Sequence, residues 1–325
     1  MTDNMKKILI LFGGNSFEHL ISCKSAKTIL TNIDTSRYEV TAVGISKDNI
    51  WYEYHDDISF LEDWTNRNIT KINNICEYLK EFDKIFPIIH GNPCENGNLS
   101  GMFDLFNINY VGSSLAGSIL GYDKELTKII CDKYNIPQIP YQVITENKSL
   151  KKIDLDYPVI IKPAKCGSSI GINIANNLKE LNKYLKIAFN YDNKVIIEKY
   201  IKSRELECAI LETKKLIPSE VGEIRSSNTF YDYDSKYILD SKLIIPADIP
   251  KELSDEIKNL SLKIFKVLSL RNLSRIDFLY DYNNKKLYFN EVNTMPGFTD
   301  ISMYPLLFKH LGISTKDLIT KLLEY

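Results

Sequence analysis

The chain has 325 residues, of which 44% are hydrophobic and 26% charged; 41 Lys+Arg against 42 Asp+Glu leave a net charge of -1. At ~100–200 residues per domain this length suits two or three domains, and the balanced composition excludes a disordered chain. There is no basic excess for nucleic acid and no run of the ~18 apolar residues that a membrane helix needs, so neither is an expected partner.

The apolar run Ile8–Phe12 stops at Gly13-Gly14, too short for the ~7–15-residue core of a signal peptide, and reads as a first β-strand. Six scattered cysteines form no Cys-x-x-Cys pair, and only four histidines accompany them. A zinc site and a disulfide framework are both disfavoured; reduced thiols in a cytoplasmic protein fit the pattern.

Strand-like and helix-like patterns alternate, which predicts an α/β architecture. The first strand, Lys7–Phe12, runs into a Gly13-Gly14-Asn15-Ser16 turn with Ser16 as N-cap, and Phe17–Asn32 follows as a helix. Tyr38–Ile45 and Phe82–Ile89 are strands, the latter ending at His90-Gly91, and Asn109–Val111 is short and extended. This first third, to about Gly121, reads as a small open parallel sheet. A second unit holds the helix Lys124–Tyr134, the strand Tyr157–Lys162, the helix Leu178–Phe189 and the strand Val195–Tyr200. The last unit carries the strand Glu205–Leu211, a polar stretch over 223–242, the helix Leu253–Leu268, the strand pair Ser274–Tyr280 and Lys286–Asn293, and a closing helix Ser314–Leu323.

The strongest chemical signal is that strand pair. Arg275 and Asp277 share one strand face, as do Glu291 and Asn293, and the turn at 281–285 makes the two strands a hairpin. With the right register, two carboxylates and an amide oxygen form a hard-oxygen set for Mg²⁺, with Arg275 beside them to hold an anion. The alternative is a solvated hairpin face with an incidental salt bridge. The second signal is Lys162-Pro163-Ala164-Lys165-Cys166-Gly167-Ser168-Ser169-Ile170-Gly171, a strand end and small-residue loop suited to phosphate, although not a P-loop. An ordinary turn is the bland alternative. The same loop matches Gly-x-Ser-x-Gly with Ser169 as nucleophile. Pro163 and loop residues separate it from the strand, which speaks against a serine hydrolase. Glu18, His90, Glu198 and Glu205 are weaker candidates, each readable as a structural or surface residue. The aromatic and charged stretch Phe230–Tyr237 reads either as a mobile loop over a site or as an exposed loop without a role.

Together these segments resemble the D-alanine–D-alanine ligases of the ATP-grasp superfamily, nearly end to end. The resemblance rests on Leu11-Phe12-Gly13-Gly14, Lys162-Pro163 with Gly167–Gly171, Tyr231-Asp232-Tyr233 with Lys236-Tyr237, Arg275-Ile276-Asp277-Phe278 and Asn290-Glu291-Val292-Asn293-Thr294-Met295-Pro296-Gly297-Phe298-Thr299. It implies a three-domain ATP-grasp fold: a Rossmann-like substrate domain over 1–121, a central subdomain over 122–200, and a C-terminal subdomain over 201–325 with a mobile loop at about 226–241. It also implies that D-alanine and ATP are substrates, that an acyl phosphate forms, that two Mg²⁺ ions assist with Mn²⁺ as a substitute, and that a homodimer is allowed.

By the same resemblance, Glu18 binds the first substrate's amine and joins Ser168 and Tyr237 in a hydrogen-bonded triad, with His90 near that substrate. Lys124 and Lys162 contact the phosphates and Lys236 reaches the γ-phosphate. Glu198, Lys199, Tyr200 and Ile201 meet adenine, and Glu205 the ribose. Asp277, Glu291 and Asn293 hold the metal. Arg275 and the Gly297 backbone stabilise the tetrahedral intermediate, and Ser302, with Met303 beside it, takes the second substrate's carboxylate. The chain departs from the family's usual pattern at Cys94-Glu95-Asn96-Gly97 (Gly-Glu-Asp-Gly), Ser100 (Gln) and Tyr122 (Met). D-serine or D-lactate as acceptor, or a regulator that binds nucleotide without turnover, are the alternatives, and Tyr237 favours an amine acceptor.

Overall fold

The computed structural model describes residues 5–225 and 242–325. In chain order the first region holds β1 (Lys6–Gly13), α1 (His19–Asn32), β2 (Tyr38–Ile45), β3 (Trp51–Tyr54), β4 (Ile69–Lys71), α2 (Ile75–Leu79), β5 (Lys84–Pro87), α3 (Asn98–Leu105) and α4 (Leu115–Tyr122). Next come α5 (Lys124–Lys133), β6 (Tyr141–Ile144), β7 (Val159–Pro163), β8 (Asn173–Ala175), α6 (Leu178–Ala188) and β9 (Val195–Lys199). The last region holds β10 (Arg204–Glu212), β11 (Leu216–Arg225), β12 (Lys242–Ile244), α7 (Lys251–Val267), β13 (Leu273–Asp281), β14 (Lys286–Asn293), α8 (Met303–His310) and α9 (Thr315–Glu324).

Three sheets result. The first runs β4-β3-β2-β1-β5, with β1 parallel to β2 and β5. β1 is apolar and buried from Ile8 onward, as a strand covered on both faces must be. The expected open parallel sheet is only part of the answer: β3 and β4 add antiparallel edges, from short segments whose pattern is too brief to read. The second sheet, β6-β9-β7-β8, and the third, β12-β11-β10-β13-β14, are antiparallel throughout. Glu223 belongs to β11 rather than to the polar stretch predicted there.

The hydrophobic side chains form three clusters. One fills the first sheet and continues into Phe298, Tyr304, Leu307 and Leu322, so the C-terminal helices close the core of the N-terminal sheet. The second lies under α7 and the third sheet, and the third under α6. Among the described residues, no helix is long and apolar enough to cross a membrane.

Local chemistry sets the ends that matter. Gly13 takes a φ of +88°, where a side chain would run into the Ile45 carbonyl, and its N–H donates to the Ser22 hydroxyl at 2.9 Å. Ser16 does not cap α1 as predicted. Its hydroxyl accepts from the Glu18 N–H at 3.1 Å and donates to the His90 carbonyl at 2.6 Å, but the helix begins later, at His19. Asp123 caps α5 by accepting from the Glu125 and Leu126 N–H groups, which fixes Lys124 as the first helical residue.

Candidate active site

The third sheet carries the hairpin face. The register pairs Arg275 with Asn293 and Asp277 with Glu291 across β13 and β14, so the four expected residues meet. A register shift between Asp277 and Phe278 leaves Asn290 without a partner on β13, a β-bulge. This matters, because strict alternation would turn Phe289 and Glu291 the same way. With the bulge, Phe289 is buried in the core, while the Asn290 amide oxygen accepts from the Lys162 ammonium at 3.1 Å and Glu291 lies 3.6 Å from that of Lys124.

Arg275 donates to both oxygens of Asp277, at 2.8 and 2.7 Å, and lies 2.9 Å from Glu207, its neighbour on β10. Burial alone would lower the guanidinium's pKa, but the two carboxylates outweigh it and hold it well above its usual range. Asp277 also accepts from the Asn293 amide at 2.9 Å, leaving the Asn293 carbonyl oxygen as donor toward a cation. Two carboxylates and an amide oxygen on one face suit a hard divalent ion that also takes phosphate oxygens. Arg275 and Lys124 balance their charge in this structure.

Between the second and third sheets lies a cavity of about 820 Å³, lined by Lys162, Tyr200, Ile201, Glu205, Glu207 and Leu279, among others. Glu198 and Lys199 line it too, and the Glu198 carboxylate, 1% exposed, sits 2.5 Å from the ammonium of Lys128 and 2.6 Å from that of Lys162. Burial would raise the Glu198 pKa, but Lys128 and Lys162 together hold it down to about 2. Its carboxylate therefore fixes two lysines. The Lys199 ammonium lies beside Asp156, 3.4 Å away and half-exposed.

The loop after β7 comes to the tips of β1 and β5. Ser168 donates to Glu18. Gly167 approaches the same carboxylate closely: a Cβ there would lie 3.1 Å from it. Ser168 and Ser169 hold φ values of +51° and +58°, rare for serine and the turn that brings the loop to Glu18. Lys124 donates to the Cys166 carbonyl at 2.8 Å, tying α5 to this loop. Tyr237 and Lys236 lie outside the described residues.

His90 is buried with both ring nitrogens engaged. Nδ1 faces the Met295 carbonyl at 3.0 Å and so carries the proton; Nε2 then accepts from the Ser25 hydroxyl, also at 3.0 Å. Ser25 in turn accepts from the Phe298 N–H at 3.1 Å. Burial pushes the imidazole's pKa down, against the pull of Glu18. His90 therefore positions the 295–298 segment, and it lies close enough to Glu18 for that carboxylate to act on its charge. A Cβ at Gly297 would lie 2.8 Å from the Ser302 hydroxyl, which accepts from the Thr299 N–H at 3.0 Å. Met303 opens the helix that Ser302 precedes, with its side chain buried and its sulfur packed against Gly222.

Several residues of this constellation went unread in the sequence. Lys128 is one helical turn after Lys124 on α5, a spacing that carried the signal. Ser25 and Ser22 are small hydroxyls on the buried face of α1. Glu207 is offset by two residues from Glu205 on a strand otherwise apolar at its centre. Glu95, inside the departing Cys94–Gly97 segment, accepts from the Gly91 N–H at 2.7 Å and the Met295 N–H at 3.3 Å. Burial, then Glu18, pushes its carboxyl up to about 7.

Comparison with known proteins agrees with this geometry. The family model described as D-ala D-ala ligase N-terminus matches residues 7–113, and that described as D-ala D-ala ligase C-terminus matches residues 130–324. A D-alanine–D-alanine ligase of Acetivibrio thermocellus is 39% identical, covering 98% of this chain and 95% of its own. Among solved structures, the VanG D-Ala:D-Ser ligase from Enterococcus faecalis superposes with a TM-score of 0.90 at 33% identity, covering 99% of each chain. The D-alanine–D-alanine ligase from Coxiella burnetii superposes with a TM-score of 0.83 at 26% identity, covering 98% of this chain and 93% of that one.

Proposed function

Because this chain belongs to the D-alanine–D-alanine ligase family, an ATP-dependent enzyme family of ATP-grasp fold, we propose that it joins two D-alanines into the dipeptide used for peptidoglycan. The observation that carries this reading is the hairpin face: Arg275, Asp277, Glu291 and Asn293 meet within reach of Lys124 and beside Lys162.

The first D-alanine's carboxylate oxygen attacks the γ-phosphorus of ATP, the bond to the β-phosphate oxygen breaks, and ADP leaves. The second D-alanine's amine attacks the acyl carbon, the carbon–oxygen bond breaks, and phosphate leaves with the amine's proton lost to solvent or base. Both steps bring anions together, so the site needs fixed positive charge and little water. Lys124 and Lys162 meet the phosphates, and Glu198 keeps Lys162 oriented for them. Glu18, held by Ser168, takes the first amine. Arg275 and the Gly297 N–H receive the oxyanion of the tetrahedral intermediate, and Ser302 the second carboxylate. Asp277, Glu291 and Asn293 are the residues that would hold Mg²⁺, two ions in the family's pattern, and the metal would supply neutralisation of phosphate charge. Tyr200, Ile201 and Glu205 line the cavity that takes adenosine. Lys236 and Tyr237, in the 226–241 segment, complete the γ-phosphate contact and the triad with Glu18 and Ser168. The division at about residues 121 and 200, a homodimer and a cytoplasmic location belong to the same reading.

The similarity to a D-Ala:D-Ser ligase makes D-serine the second candidate acceptor. Purified protein with ATP, Mg²⁺ and D-alanine, alone or with D-serine, D-lactate or L-alanine, tests both by phosphate release and product mass. D-Ala-D-Ala as the main product is expected. A mixed product alone moves the acceptor, and ATP binding without phosphate release from any mixture overturns the reading.

A further inference from the structure

The molecule has two large cavities. The distal one, about 970 Å³ at the far end of the first sheet from Glu18, has Lys6, Lys84 and Arg271 in walls that also carry acids, and it takes no part in the chemistry assigned above. Around the active-site cavity the lysines are fastened individually: Lys162 to Glu198, and Lys124 to the Cys166 carbonyl. Part of what holds Lys124 lies outside that cavity.

This outer support is the turn before β9. Lys194, the residue preceding the strand, donates to both carboxylate oxygens of Asp123, at 3.1 and 2.8 Å, and lies 2.5 Å from Glu125. Asp123 is the N-cap of α5, and Lys124 is the residue that follows it. The main chain repeats the link. The Lys194 carbonyl accepts from the Ala164 N–H at 3.0 Å, and the Ala164 carbonyl accepts from the Lys124 N–H at 3.1 Å. Asp192 secures the turn itself: its buried carboxylate accepts from the Lys194 N–H at 3.2 Å and from the Lys165 N–H at 2.7 Å. Neither Lys194 nor Asp192 is among the described residues that line the active-site cavity.

Helix α5 is thus fastened to β9 at two points of opposite polarity. At its start the helix acids Asp123 and Glu125 meet Lys194; farther along, the helix lysine Lys128 meets the strand acid Glu198. Sliding the helix along the strand would bring Lys128 toward Lys194, or Asp123 toward Glu198, like charge against like, so one register satisfies both pairs. With Lys194 17% and Asp123 13% exposed, solvent screens the first pair little. The register it sets decides where the Lys124 ammonium stands, 2.8 Å from the Cys166 carbonyl and 3.6 Å from Glu291.

We propose that Lys194 is a positioning residue for ATP: by pairing with Asp123 and Glu125 it fixes the start of α5 and so places the Lys124 ammonium for the phosphates. Lys194 has this role only if Lys124 meets the phosphates, as assigned above.

Calorimetric titration of the full chain with the non-hydrolysable β,γ-imido analogue of ATP, and separately with adenosine, tests this without requiring turnover. The variants are K194Q, K194R, K124Q and K124Q/K194Q. K258Q is the control, since it removes an ion pair of similar exposure, to Glu220, away from the site. K194Q should weaken binding of the analogue about tenfold and leave adenosine within about twofold, and K194R should recover most of the loss. K124Q should weaken the analogue at least as much, and K194Q should then add nothing further, because both act through one ammonium. K258Q should leave both ligands unchanged. Analogue binding in K194Q equal to that of the natural protein, a loss shared equally by adenosine, or a K194Q effect undiminished in K124Q overturns the role of Lys194 and leaves Lys124 in place. Analogue binding unchanged in K124Q overturns the assignment of Lys124, and the role of Lys194 with it. If K194Q does not fold, D123N, whose side-chain oxygen still caps the helix, is judged by the same outcomes.

Discussion

The two cavities are similar in size and both rich in charge, yet they are built in opposite ways. In the active-site cavity the cations come with acids: Lys162 and Lys128 share Glu198, and Arg275 sits between Asp277 and Glu207. In the distal cavity Lys6, Lys84 and Arg271 share the walls with Asp83, Asp104, Glu212 and Glu324, but among the described residues no ion pair of 4.0 Å or less joins them. Pairing costs a site some attraction for its anion but fixes where each charge stands before the substrate arrives, which is what a reaction with developing charge needs.

The contrast can be broken most sharply at Arg275. If its guanidinium meets the developing oxyanion, Arg275→Ala lowers kcat by about 10²–10³ at saturating substrates. An unchanged kcat would reduce Arg275 to a counter-ion for Asp277 and Glu207. Comparable in size is Glu198→Gln, which leaves Lys128 and Lys162 buried together. It should cost about 3–5 kcal/mol in urea unfolding and raise the KM for ATP. Ser25→Ala removes the hydroxyl between His90 and the Phe298 N–H; a loss of about 1–3 kcal/mol is expected, with KM for the second D-alanine rising more than that for the first.

The smallest effects lie in pH; in both cavities stability rises with pH, but in different windows. Glu198 has a folded pKa of about 2, below its unfolded value of about 4.5. The folded state thus favours its charged form, and the stability it adds is present above pH ~4.5 and lost as pH falls toward 2. Lys84 has a folded pKa of about 8, below its unfolded value of about 10.5. Between these values the unfolded chain holds more protons, so stability rises with pH from ~8 to ~10.5. Urea midpoints across pH should show Glu198→Gln flattening the acid limb and Lys84→Gln removing the alkaline rise. A Lys84→Gln protein with the alkaline rise intact would mean that Lys84 has a carboxylate partner in solution.

How much of this was legible in the sequence follows the same division. The hairpin was readable because its residues are close in sequence and alternate, and the ends of α1, β2, α6 and β14 came within a few residues of their observed places. Partners that meet only through folding left little trace. Ser25 and Phe298, Lys128 and Glu198, or Arg275 and Glu207 are joined by helix packing and strand register, which one sequence does not state. His90 reads as a site residue because it ends a strand, but that its ring nitrogens meet Ser25 and the Met295 carbonyl is visible only in the fold. Lys6, Lys84 and Arg271 belong to no motif at all; only the closing of the first sheet by the C-terminal helices brings them to one place.

The unpaired Asn290 on β14 acts as a frame-setting residue for everything downstream of it. Straightening the bulge while keeping its residue would turn Glu291 toward the oily side of the hairpin and carry Asn293 and the approach to Gly297 out of phase, whereas deleting 290 would leave Phe289 and Glu291 consecutive and on opposite faces. The hairpin should therefore tolerate changes of side chain at 290, or loss of that position, far better than an insertion beside it. A library that varies this strand at fixed length explores the site, whereas one that inserts a single residue discards it.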